Sequence, residues 1–124
     1  MSRKQLNKSK SKTERIEVRL SSHLKNALEE YCVKNLESIM ETTNRAIKEY
    51  VGFGQNKPQI PQIISNDDLP KNERLEIRVH PQLKQIILDT QKQITVITGV
   101  KPNLSAIVLS AIIQYIGYNA KGLL

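Results

Sequence analysis

Cysteine is almost missing from this chain. Cys32 is the single one in 124 residues, so no internal disulfide can form and the residue reads as a small buried hydrophobe. Histidine is nearly as sparse: His23 and His80 lie far apart with no carboxylate pattern around them, and no metal site is expected. No apolar run reaches the length of a membrane span, and Met1 to Thr13 is polar where a signal peptide would be apolar. The expectation is a cytoplasmic protein without a membrane partner. Nothing resembles a phosphate-cradling loop, a nucleophile elbow or a paired acid and base, so catalysis has no support in the sequence and neither enzyme nor cofactor is expected.

Acid is in deficit too. Nineteen Lys and Arg against twelve Asp and Glu leave a net charge of +7, which favours nucleic acid or an anionic surface as partner. The excess is localised: Arg3, Lys4, Lys8, Lys10 and Lys12 fall in a stretch, residues 1–12, that has no acidic residue. That stretch reads as a basic flexible arm leading into the first ordered element.

What is present in quantity is repetition. The run Glu14-Arg15-Ile16-Glu17-Val18-Arg19-Leu20 returns 59 positions later as Glu73-Arg74-Leu75-Glu76-Ile77-Arg78-Val79, identical at every polar position and changed only in shape at the apolar ones. Strict alternation with β-branched residues predicts two half-buried strands. Ile16, Val18 and Leu20, like Leu75, Ile77 and Val79, should face a core, leaving the arginines and glutamates outside. After each strand the period changes to about 3.6, with Leu24, Ala27, Leu28, Tyr31 and Cys32 in one copy and Leu83, Ile86, Ile87, Ile94 and Ile97 in the other. Ser22 as N-cap and Pro81 as a first-turn residue suit the starts of these helices.

A second helix follows in each half. Ser38-Ile39-Met40-Glu41 fits a capping box and opens a helix to about Val51, before Gly52 and Gly54. Gly99 ends the earlier helix of the second half, and Asn103 caps one running to about Tyr118. The second half carries six more residues than the first between strand and last helix, placed in a longer first helix or its turn. Residues 52–72, with Pro58, Pro61 and Pro70, read as a linker that could span on the order of 60 Å when extended. The expected organisation is arm 1–12, first unit 13–51, linker 52–72, second unit 73–118 and tail 119–124.

One strand and two helices cannot bury both apolar stripes, and a lone strand leaves its ladder groups unpaired. Two copies solve both problems if their strands pair antiparallel above four helices. The fold class expected is therefore mostly α with a two-stranded antiparallel ribbon, the two units forming an intramolecular pseudo-dimer. Opposite charges across a ribbon are favourable, so the register expected sets Glu17 against Arg78 and Arg19 against Glu76. The last helix, with Leu104, Ala106, Ile107, Val108, Leu109, Ala111, Ile112, Ile113, Tyr115 and Ile116, is unusually apolar. Two roles are open for it, a central core helix or an interface through which chains form a homo-oligomer.

Each half, with its Arg-apolar-x-apolar-Arg-apolar strand, leucine-bearing helix, turn, cap and Ala-Ile helix, resembles the ribbon-helix-helix family that includes MetJ, Arc and CopG. The covalent doubling is similar to that of the conjugation regulator TraY. The resemblance implies double-stranded DNA as partner. It makes Arg15, Glu17, Arg19, Arg74, Glu76 and Arg78 the base readers, and Ser38 and Asn103 with their following N–H groups the phosphate clamps. Lys101, Lys10 and Lys12 are further phosphate-binding candidates. Leu36 departs from the family's frequent turn glycine. The function expected is a sequence-specific DNA-binding transcriptional regulator of prokaryotic, plasmid or viral type, acting as a repressor by occupancy. Alternatives are an accessory DNA-binding protein in plasmid transfer or copy control, and an antitoxin-like interaction module.

Overall fold

The computed structural model describes residues 13–53, 63 and 70–118. The basic arm, most of the linker and the tail lie outside the described residues, and with them Lys10 and Lys12. Strands β1 (Glu14–Leu20) and β2 (Glu73–Val79) and helices α1 (Ser22–Asn35), α2 (Ile39–Tyr50), α3 (Pro81–Thr98) and α4 (Leu104–Ile116) follow the order strand, helix, helix twice. Both strands fall on the residues that alternation marks. They are ladder partners in one antiparallel two-stranded sheet, so the chain is mostly helical with a two-stranded ribbon.

The apolar face of the ribbon roofs a single core. Val18, Leu20, Ile77 and Val79 meet Leu24 and Leu28 of α1, Leu83 and Ile87 of α3, and the inner faces of α2 and α4. The packing crosses between halves. α4 lies along β1 and α2 along β2, while Lys25 of α1 bonds Glu73 of β2 at 3.2 Å and Lys84 of α3 bonds Glu14 of β1 at 3.4 Å. Each half thus lends a helix and a lysine to the other half's strand, and separating them would strip the apolar cover from both.

In α4 every residue from Ile107 to Ile113 is buried, the pattern of a helix surrounded by protein. Of the two roles open for it, this burial fits the central core helix. α2 buries only a stripe, Thr42, Thr43, Ala46, Ile47 and Tyr50. The six extra residues of the second half are also accounted for, since α3 has 18 residues against 14 in α1 and a longer turn follows it. The added length overshoots the core. Ile97, expected on the apolar stripe, is 57% exposed.

Helix ends follow local chemistry. Ser21, not Ser22, caps α1: its Oγ accepts from Leu24 N–H at 3.1 Å, whereas Ser22 is already helical and its hydroxyl donates to Asn72. His80 caps α3 by accepting from Gln82 N–H at Nδ1, with Pro81 in the first turn. Leu36 ends α1 with φ of 54°, and Gly99 ends α3 with φ of 77°. The left-handed region suits glycine and strains leucine. Among the described residues no helix is long and apolar enough to cross a membrane.

Candidate nucleic-acid interface

Alternation along two paired strands puts Arg15, Glu17, Arg19, Arg74, Glu76 and Arg78 on the outer face of the ribbon, all exposed. The register differs from the one expected. Arg15 stands opposite Arg78, Glu17 opposite Glu76, and Arg19 opposite Arg74, so like faces like. The reason lies in the backbone. This register pairs all seven residues of each strand, whereas the one favoured by surface charge would slide the ends past each other and lose rungs. Ladder hydrogen bonds contribute roughly 0.5–1.5 kcal/mol each, against about 0.2–1 kcal/mol for an exposed cross-strand charge pair. The observed register also seats Glu14 and Glu73 where Lys84 and Lys25 reach them.

Repulsion within the rungs is relieved diagonally. Arg15 reaches Glu76 at 3.0 Å and Arg74 reaches Glu17 at 3.8 Å, with all four side chains at least half exposed. The pairs expected, Glu17 with Arg78 and Arg19 with Glu76, do not form; the two carboxylates meet Arg15 and Arg74 instead, one arginine per strand. Among the described residues, Arg19 and Arg78 have no carboxylate partner. The Arg78 guanidinium donates to Thr13 Oγ1 at 3.3 Å. The face carries four guanidinium groups around one central acidic rung, two of them paired with carboxylates and two, among the described residues, without one.

The ribbon is held at both ends by groups that sequence reasoning left without a role. Arg19 N–H donates to Ser105 Oγ at 3.1 Å, and Asn44 Nδ2 donates to the Arg78 carbonyl at 3.0 Å. The first turn of α4 and the middle of α2 thereby fix the strand ends at Arg19 and Arg78. The twin Leu-Lys pairs, Leu24-Lys25 and Leu83-Lys84, were the available signal for the cross-bracing lysines. An open cleft between α2 and the end of β2, lined by Asn44, Lys48, Arg78 and His80 among others, continues the polar surface around one side.

Ser38 and Asn103 are exposed N-caps, of α2 and α4, but their surroundings differ. Ser38 closes a full capping box: its Oγ accepts from Glu41 N–H at 3.0 Å and its own N–H donates to Glu41 Oε1 at 2.9 Å. These bonds from Ser38, backbone first, hold the Glu41 carboxyl below its usual pKa of 4.5, so a negative charge stays at that helix start. Asn103 Oδ1 accepts from Ala106 N–H at 2.7 Å, and no acid stands in the first turn of α4. Exposed Lys101 precedes it in the same turn. Electrostatically the start of α4 is the more receptive to an anion. Comparison with family models, with curated proteins and with solved structures finds no match for the chain.

Proposed function

We propose that the chain is a sequence-specific double-stranded DNA-binding protein, two ribbon-helix-helix units acting as an intramolecular pseudo-dimer that inserts its ribbon into the major groove. The observation that supports this most is the outer face of the β1–β2 pair. Its two arginine rungs lie about 13 Å apart along the strands, with a carboxylate rung between them. A two-stranded ribbon fits the major groove, where arginine bonds guanine O6 and N7 with two parallel hydrogen bonds and a carboxylate accepts from cytosine N4.

In this reading Arg19 and Arg78 are the principal base readers, because among the described residues no carboxylate competes for them. Arg15 and Arg74 are released from Glu76 and Glu17 only where DNA offers a better partner, which penalises the wrong sequence. The N–H groups at the starts of α2 and α4, with Ser38, Asn103 and Lys101, meet flanking phosphates, and Lys10 and Lys12 of the arm add contacts that carry no sequence information. Bound near a promoter, the protein acts as a transcriptional repressor by occupancy. The linker makes pairing of the two units intramolecular, at an effective concentration on the order of millimolar.

Selection from a random duplex pool tests the reading. Enrichment of a defined motif by the wild-type chain, lost in the Arg19→Ala, Arg78→Ala double variant, is the expected result. Recovery of duplexes without a motif would reduce the protein to a non-specific binder.

A further inference from the structure

The overshoot of α3 leaves apolar side chains that no described residue covers. Val96, Ile97 and Val100 are 84%, 57% and 68% exposed, at the end of the added length. They adjoin Lys92 and Lys101, with Asp89 one turn back. Grouped exposed aliphatic residues of this kind mark contact surfaces more often than chance display does.

A matching surface lies on the outer face of α1. A shallow depression there is lined by Asn26, Glu29, Glu30, Val33 and Lys34. Val33 is 75% exposed, and Leu36 at the helix end is 93% exposed. The apolar centres of the two surfaces are alike, while the flanking charge is reversed: two acids against one lysine on α1, two lysines against one acid on α3. An exposed apolar patch with basic flanks and an apolar depression with acidic flanks are complementary in charge to each other and not to themselves.

We infer that copies of this chain associate head to tail, the α3 end of one docking on the α1 face of the next. The inference does not need the DNA reading: neither surface includes a ribbon residue, and Lys101 is the one residue the two readings share. A contact between two different patches is not closed by a two-fold axis, so every linear assembly keeps one free α3 end and one free α1 face and can grow past the dimer into an open row, or into a ring where the rotation closes.

Sedimentation equilibrium without DNA decides it. The wild-type chain is expected to rise in weight-average mass with concentration, past the dimer, and to shift back toward monomer as salt increases. Val96→Glu places an acid against Glu29 and Glu30, and Val33→Lys places a lysine against Lys92 and Lys101; both positions are solvent-exposed, and circular dichroism verifies that the variants fold. Each variant alone is expected to remain monomeric. Mixed in equal amounts they are expected to form a one-to-one dimer, since one keeps a sound α1 face and the other a sound α3 end. A wild-type chain that stays monomeric overturns the inference. So does a Val33→Lys chain that still dimerises, which would mean that α3 ends meet each other, or a mixture that stays monomeric.

Discussion

The two halves of the chain share a strand and diverge beneath it. β1 and β2 present the same four charged residues in the same order, whereas α2 buries a stripe and α4 is buried through seven consecutive residues. An outer face is constrained residue by residue through what it presents. A core is constrained mainly by total volume and patterning. Two halves with the same strand can therefore keep a common surface while dividing the interior unequally, one supplying a central helix and the other a cover.

The largest expected effect tests that division. Ile112 in α4 is fully buried, and Ile112→Ala should cost about 2–5 kcal/mol, measured by urea denaturation. Because the halves share one core, the loss should appear as a single transition. Two separate transitions would mean that the halves are independent domains. The next test concerns the part that is common. Arg19→Ala and Arg78→Ala occupy equivalent places in the two strands and should each weaken specific DNA binding by about 1–3 kcal/mol, with little change on random DNA. Unequal losses in a titration against the selected duplex would show that the halves also diverge on the outside.

The helix ends sharpen the contrast at a smaller scale. Leu36 and Gly99 hold the same left-handed position after α1 and α3. Leu36→Gly should stabilise the protein by about 1 kcal/mol, and Gly99→Ala should destabilise it by about the same amount although a Cβ there meets nothing within 4 Å. Thermal melts showing the same sign for both would refute the account. The smallest effect separates the second helices by pH. The Glu41 carboxyl is held below its ordinary value of 4.5 by Ser38, so its contribution is complete above that value and fades as pH falls through the lowered one. Ser38→Ala should abolish this acid-side loss. Asn103→Ala should instead cost about 1 kcal/mol, equally on both sides of the carboxylate range, because α4 has no acid in its first turn.

Much of this architecture was legible because it is local. Alternation fixed both strands, and Ser38, Gly99 and Asn103 announced helix ends through bonds made within four residues. The register was not legible. Surface charge argued for one pairing, while rung count and the reach of Lys25 and Lys84 to the opposite strand decided another, and neither of those can be read from either strand alone. Ser21 and Ser22 are adjacent hydroxyls that differ as caps only once the backbone is set. Ile97 satisfied the helical period yet lies beyond the core, because periodicity specifies a face and not where the neighbouring elements stop. For the candidate site, the six ribbon residues came from alternation, but which arginines are tethered depended on the register. Asn44 and Ser105 had no signal, being tied to strands far away in sequence.

The register about the Glu17–Glu76 rung makes the outer face of the ribbon its own image under a half-turn, although the molecule that carries it has no such symmetry. On the proposed reading, the preferred target is a palindrome, and a palindrome does not tell the chain which way round to sit. Both orientations offer the same base contacts, and this two-fold degeneracy adds about 0.4 kcal/mol of favourable entropy, RT ln 2, to binding an isolated site. Flanking sequence, read by the unlike starts of α2 and α4, is what would lift the degeneracy. Heading is thus a second piece of information, separate from address, and the unequal helices are where this chain stores it.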